Sequence, residues 1–384
     1  MASDSSWVYG LRHQARCLTA VASKDGGETS KFLVGTVGVR NNLVCLLEFD
    51  ESKSEIVSTL YEHPDEVWDI SSSPVNETLL FTCHSQVGND PRQRKATLWK
   101  RNSVDAASEE GVGTKHALQQ LMSLENEGVS RVLWDPTSQE NTSRVACTCA
   151  QQLHVARLNN ASTTTEISID TSTIYDKDED DGDITNAAWN PHDTQNMITT
   201  IGSNLAGWDF RSGKTSFTKH RAHKSTVRAL DYNPNKPYHV VTGGDDALVS
   251  IWDVRQLSSP AMTVEGHTHW VWSVAFNRFH DQLLLTSGSD TLVNLHNVVS
   301  VSSASYLRSE EQTSQEDENN HSEGYWSSYR PSDGLICTYD QHEDSVYASV
   351  WSTADTWTFA SLSYAGRVVI SQVPTGEKFK ILGV

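Results

Sequence analysis

Apolar and polar residues alternate along this chain in short runs, broken by clusters of Gly, Pro, Asn and Asp. A period of two with such punctuation predicts many short β-strands and turns. The pattern repeats. "AHKSTVRALDYNPNKPYHVVTGGDDALVSIWDVR" (222–255) lies over "GHTHWVWSVAFNRFHDQLLLTSGSDTLVNLHNVV" (266–299) without gaps, at an offset of 44 positions. A third copy is "QHEDSVYASVWSTADTWTFASLSYAGRVVISQV" (341–373), and weaker ones begin near His63, Gly128 and Asp183. A degenerate unit is readable in "FLVGTV…NLVCLLEF" (32–49), and Pro74, Pro136, Pro191 and Pro234 recur after the first strand of a unit. Repeats of this length with three or four strands each are propeller blades. The expectation is an all-β, seven-bladed WD40-repeat β-propeller forming one domain over residues 1–384. Residues 7–22 can supply either a closing strand or the first strand of the first blade.

Two sets of aligned positions give the repeat its physical logic. Trp134, Trp189, Tyr232, Phe276 and Trp351 coincide across copies and are expected to pack each sheet on its neighbour. His223, Thr242, Asp246 and Trp252 stand where a WD-repeat blade carries a hydrogen-bonded chain, which stabilises only when every member is satisfied. The next copy keeps His267, Thr286 and Asp290 but has His296 for Trp. The last keeps His342 and Ser361, with Ala365 and Ser371 in the other places, so packing should carry more of that blade. These His and Asp residues read as scaffold.

Composition narrows the function. Thirty basic residues against 49 acidic give a net charge of −19, which repels phosphate backbones and anionic membranes. No apolar run approaches the ~18 residues of a membrane span, and the N-terminal stretch does not read as a secretory signal. Six cysteines (Cys17, Cys45, Cys83, Cys147, Cys149, Cys337) without framework spacing read as reduced cytosolic thiols. Two acidic stretches fall outside the repeat: "DKDEDDGD" (176–183) and "SEEQTSQEDENNHSEGYWSS" (309–328). Both are expected to be solvated, and the second to be a disordered insertion between blades six and seven.

Motifs that carry chemistry are missing. Against an EF-hand, Gly182 comes one place late and Ala187 sits where a bidentate Glu is needed. Cys147-x-Cys149 has no second pair at zinc spacing, and neither a phosphate cradle nor a nucleophile elbow occurs. The expectation is a binding protein without catalysis, cofactor or metal.

Two surfaces compete for a partner. In "GHTHWVWSVAFN" (266–277), Trp270 and Trp272 flank Val271 at the start of an inner strand, where side chains project onto the top face of the ring. The equivalents of Trp272 are Trp68, Ser130, Thr185, Arg228 and Tyr347. Trp, Tyr and Arg dominate interface hot spots, which makes Trp68, Arg228, Trp270, Trp272 and Tyr347 the candidate partner surface. The other surface is a pair of Trp-Asp-x-Arg strand ends, Trp208-Asp209-Phe210-Arg211 and Trp252-Asp253-Val254-Arg255. They resemble the motif by which WD-repeat substrate receptors dock onto the adaptor of cullin-4 ubiquitin ligases.

A wider resemblance rests on "YGLRHQAR" (9–16), "FLVGT" (32–36), "DYNPNK" (231–236), "GGDD" (243–246), "HTHWVW" (267–272), "FHDQL" (279–283), "HEDSVYA" (342–348) and "ASLSYAGR" (360–367). In this order, with the acidic insertion before the last unit, the chain resembles the WD-repeat family that interacts with the EARP and GARP tethering complexes. The likeness spans nearly the whole chain. It implies a non-enzymatic cytoplasmic partner of those complexes, recruited peripherally to the trans-Golgi network and recycling endosomes, acting in endosomal recycling and retrograde transport. Ligase substrate receptors, histone-binding propellers and a peroxisomal import receptor are the other WD-repeat classes to weigh. Ala365, where Asp is expected, and Gly202 depart from the blade pattern.

Overall fold

A computed structural model describes residues 6–23, 29–38, 40–90, 93–102, 114–124, 126–139, 143–159, 162–170, 182–304 and 332–383. The apolar alternation folds into antiparallel meanders. After β1 (Ser6–Gly10), the first runs through β2 (Ala15–Ala20), β3 (Thr29–Thr36), β4 (Leu43–Asp50) and β5 (Glu55–Glu62). The next is β6 (Glu66–Ser72), β7 (Leu79–Ser85), β8 (Lys95–Arg101) and β9 (Lys115–Ser123). Then come β10 (Val129–Trp134), β11 (Ser143–Cys149), β12 (Gln152–Asn159) and β13 (Ser162–Asp170). They are followed by β14 (Ile184–Trp189), β15 (Asn196–Ile201), β16 (Asn204–Asp209) and β17 (Lys214–Lys219). Strands β18 (Val227–Tyr232), β19 (His239–Gly244), β20 (Val249–Asp253) and β21 (Met262–Val264) precede β22 (Val271–Phe276), β23 (Leu283–Gly288), β24 (Val293–Asn297) and β25 (Gly334–Tyr339). Last are β26 (Val346–Trp351), β27 (Thr358–Ser363), β28 (Arg367–Gln372) and a short helix, α1 (Thr375–Leu382).

The all-β propeller stands, but the expected seven separate blades do not. Five four-stranded blades are separate sheets, and the remaining eight strands form one sheet in the order β2-β3-β4-β5-β9-β8-β7-β6. Its seam is a parallel pairing of β5 with β9 at Leu60↔Lys115, Tyr61↔His116 and Glu62↔Ala117. The physical reason lies in the outer edges. An unpaired edge is a template for another strand. Here two such edges, eight and nine residues long, serve as templates for each other. The Tyr61 hydroxyl donates to the Asn102 carbonyl at 3.3 Å across the seam.

Residues 7–22 serve both candidate roles. β1 is the outer strand of the last sheet, paired with β28 from Ser6↔Ser371 to Gly10↔Arg367, while β2 is the inner strand of the first meander. Trp7 packs on Phe49 at 4.5 Å, joining the closing strand to the first meander. The acidic stretch 309–328 lies outside the described residues, as does 176–183 except for Gly182 and Asp183.

Apolar clusters fill the spaces between successive sheets. The aligned aromatics lie in them, and three also tie one sheet to the one before. Trp134 donates its indole N–H to the Ser71 carbonyl (3.3 Å), Trp189 to Leu133 (3.1 Å) and Trp351 to Ala275 (3.0 Å). Each ring thus buries area while its one donor stays satisfied. Truncation of such a residue to Ala costs ~3–5 kcal/mol. Gly35 and Gly243 permit close approach, because a Cβ there would meet Val67 Cγ1 at 2.5 Å or Val271 Cγ1 at 2.6 Å.

Polar chains differ between sheets. His223 bonds Asp246 (2.9 Å) and Thr242 (2.8 Å), and Trp252 donates to the same Thr242 hydroxyl at 2.9 Å. Burial pushes the Asp246 carboxyl up, but His223 and the backbone N–H groups of Lys224 and Leu248 outweigh it and hold it below its ordinary value. His267 bonds Asp290 at 2.9 Å and Thr286 at 2.9 Å, with His296 at 3.3 Å in the Trp place. In the last sheet His342 reaches Ser361 at 2.8 Å, and its Nδ1 is buried without a partner. Around β7 the chain is rebuilt: His63 and Trp99 meet at Thr82 (3.0 and 2.8 Å), while Asp65 pairs with His84 at 2.8 Å.

Candidate functional site: the bulged rim

Each inner strand begins with the same irregularity. The register slips by one residue at Ala15/Cys17, Val67/Asp69, Val129/Arg131, Ile184/Asn186, Val227/Ala229, Val271/Ser273 and Val346/Ala348. A β-bulge leaves the extra residue out of the ladder and re-aims its side chain. The residues so released are Arg16, Trp68, Ser130, Thr185, Arg228, Trp272 and Tyr347, all half-buried. The alternation that sends Val271 and Val274 into the core therefore delivers Trp272 to the rim. Two rings stand together at 266–277 because Trp270 lies just before β22 and the bulge releases Trp272 beside it.

Most of these side chains are anchored by the strand that follows. Trp68 donates to the Ser85 hydroxyl at 2.9 Å and Trp272 to that of Ser289 at 2.6 Å. Arg228 makes a bidentate pair with Asp245 at 2.8 and 2.7 Å. Ser130 bonds Thr148 at 2.7 Å, and Thr185 bonds Thr200 at 2.8 Å and the Val227 carbonyl at 2.6 Å. One residue further along, a polar chain crosses the inner strands: Asp69 to Arg131 at 3.6 Å, Arg131 to Asn186, and Asn186 to the Arg228 carbonyl at 2.8 Å.

The five candidate partner residues form one arc. Trp270, 41% exposed, meets Trp272 edge-on at 6.0 Å, and Trp272 meets Tyr347 at 4.8 Å. The Arg228 guanidinium lies 5.0 Å from the Trp272 ring and 5.6 Å from Trp270. Arg16 bridges to Trp68, at 4.7 Å from Tyr347, 6.0 Å from Trp272 and 5.4 Å from Trp68. Arg94 covers Trp68 at 4.5 Å, and Tyr364 meets Tyr347 at 5.6 Å. Contacts of guanidinium with indole or phenol are worth ~0.5–2 kcal/mol each. The arc is thus stiffened before anything binds.

Sequence reasoning missed Arg16, Arg94 and Tyr364. For Arg16 a signal existed: "ARCLT" (15–19) matches "VRALD" (227–231), Arg on Arg, once Ala and Cys are allowed in the apolar places. Arg94 precedes β8, outside any aligned position.

The Trp-Asp-x-Arg residues lie elsewhere. Register places Trp208 and Asp209 beside Met197 and Asn196, at the strand ends opposite the bulge between Ile184 and Asn186. Trp208 is buried and donates to Thr199 at 2.8 Å, as Trp252 does to Thr242. Arg211 is paired with Asp193 at 3.3 Å, and its backbone N–H donates to Asp209 at 3.0 Å. Arg255 is paired with Asp253 at 2.7 Å and lies over Tyr238 at 4.3 Å. Both guanidiniums are largely exposed yet already met by carboxylates.

No group of three or more His, Cys, Asp or Glu among the described residues is placed to hold a metal ion. All six cysteines are free thiols, five of them buried. The Cys147 thiol and His154 hold the neighbouring Cys149 thiol below its ordinary value. No helix of the described residues is long and apolar enough to cross a membrane.

A closed β-ring whose built surface is a rim of rings and guanidiniums belongs to the propeller class of protein-interaction platforms. The family model described as EIPR1 beta-propeller matches residues 3–296, and the chain belongs to that family. It is 35% identical over 396 residues to "EARP and GARP complex-interacting protein 1" of Rattus norvegicus, with the whole of both chains covered. "EARP-interacting protein 1" of Caenorhabditis elegans is 34% identical over 98% of each chain. "WD repeat-containing protein DWA2" of Arabidopsis thaliana is 32% identical over 97% of this chain and 98% of its own.

Proposed function

We propose that this chain is a non-enzymatic scaffold that binds EARP- and GARP-type tethering complexes and so supports endosomal recycling and endosome-to-trans-Golgi transport. The observation that carries it is likeness over the full length to relatives named for those complexes. The partner surface is the arc of Trp68, Arg228, Trp270, Trp272 and Tyr347, extended by Arg16. The protein works in the cytoplasm and reaches trans-Golgi and recycling endosomal membranes through the tether, since a net charge of −19 opposes direct adhesion to anionic lipid. Docking to a cullin-4 adaptor is the weaker reading, because Arg211 and Arg255 are each engaged by a neighbouring carboxylate.

Affinity purification of the tagged chain from cytosol, followed by mass spectrometry, separates the two. Tether subunits are expected with the unaltered chain and with R211A/R255A, and are expected to vanish with W272A/R228A while the ring still melts cooperatively. A cullin adaptor in place of tether subunits would overturn the trafficking reading. Undiminished tether capture by W272A/R228A would overturn the rim as its surface.

A further inference from the structure

The arginines of the rim differ in how their charge is met. Arg228 is closed by Asp245, and Arg131 by Asp69 and Asn186. Arg16 and Arg94 have no such closure. Among the described residues, no carboxylate lies within ion-pair distance of either guanidinium, and neither side chain donates a hydrogen bond. The Arg94 Nε is buried and unpartnered. Both guanidiniums lie against one ring, Trp68, at 5.4 and 4.5 Å. Glu66 and Asp69 feel the charge of Arg94 without closing on it. Burial depresses the Arg94 guanidinium, and the like charge of Arg16 adds to the effect.

Two cations beside one indole, one of them with its Nε buried and unpartnered, carry a desolvation and like-charge cost that an anion would relieve. We infer that Arg16 and Arg94 form a clip for the carboxylate of one Asp or Glu in an extended peptide segment of the partner, with Trp68 and Tyr347 receiving its neighbours. This rests on the rim being the partner surface. Guanidiniums beside a flat ring suit a planar, singly charged oxyanion. The surrounding negative field repels the polyanionic surfaces of nucleic acid and anionic membrane. A cleft of about 330 Å³ that includes Ser85, the acceptor of the Trp68 N–H, is lined by Asp65 and Glu127 and also by Lys95.

The experiment uses the full chain, its R16A/R94A variant and a display library of short random peptides. The unaltered chain is expected to enrich peptides sharing one Asp or Glu. A synthetic hit is expected to lose at least about tenfold in affinity when that residue becomes Asn or Gln. R16A/R94A is expected to show the same loss with the acidic peptide and no further loss with the amide. Should R16A/R94A melt early, R16Q/R94Q carries the measurement. Hits without an acid, no enrichment, or unchanged affinity of the Arg variants would overturn the clip. A phosphoserine peptide binding more than about tenfold tighter than its Glu counterpart would overturn the carboxylate assignment. Tether capture is followed in parallel. Acid selectivity without tether capture sinks the scaffold reading alone, and tether capture without acid selectivity sinks the clip alone.

Discussion

From Arg228 through Trp272, Tyr347 and Arg16 to Trp68, the bulged positions of the rim carry rings or guanidiniums, whereas Ser130 and Thr185 carry hydroxyls. The backbone device is the same in both arcs. In the hydroxyl arc the released side chain folds back, Ser130 onto Thr148 and Thr185 onto Thr200 and the next inner strand. In the aromatic arc Trp68, Trp272 and Arg228 are anchored in the same way, but the rings and guanidiniums also stack sideways on their neighbours. The fold therefore fixes where a side chain is offered, and the residue at that place decides whether the offer is to the ring itself or to a partner.

The comparison breaks most visibly if the arcs are made alike. W272S/Y347S turns two aromatic positions into hydroxyls, and tether capture should fall by roughly 30-fold or more, as hot-spot loss of ~2 kcal/mol or more implies. Capture titrated against protein concentration reads this directly. S130A/T185A, in the other arc, should leave capture within about twofold while costing ~1 kcal/mol of stability per residue in denaturant unfolding. A capture loss as large as that of W272S/Y347S would erase the distinction.

The rim is only as fixed as the sheets beneath it. Thr242 serves His223, Trp252 and the Ser250 carbonyl, so T242V should cost ~2–3 kcal/mol. S361A removes a hydroxyl bonded to His342 and the Val369 carbonyl, in a sheet without the Asp and Trp of that chain, and should cost ~1 kcal/mol. Urea titration of both variants at neutral pH checks the order.

Stability also depends on pH. Burial pushes His63, His296 and His342 down to about 4. Unfolded, each takes a proton near its ordinary pKa of ~6.5. Stability is therefore fully held above that value and falls as pH drops toward 4, by at most ~1.4 kcal/mol per pH unit for each histidine. H342F should flatten the slope of stability against pH between 7 and 5 by up to one proton, whereas an unchanged slope would place the uptake elsewhere.

Much of this was readable beforehand. The ungapped match of 222–255 to 266–299 placed the inner strands, and the flanks of Val271 pointed to the rim. The expected count of seven blades fails for a physical reason. The β5–β9 seam is a parallel contact between two outer edges, and pairing across an edge leaves no trace in a period of two. Arg16 was hidden because Ala15 and Cys17 occupy places where Val and Ala stand in the clearest copy. Arg94 was hidden because only the folded ring brings it over Trp68.

Closure of the last sheet has a bearing on how the molecule is made. Ser6 and Ser371, whose hydroxyls lie 3.0 Å apart, are 365 positions apart in the chain. At ~5–20 residues per second, β1 leaves the ribosome roughly 20–70 s before β28 exists to receive it. Throughout that interval the nascent chain carries an orphan strand and an open flank on the first meander, both fit to pair with whatever strand is nearest. Strand β28 therefore completes the ring, and until it is made β1 and the first meander stay open to mispairing.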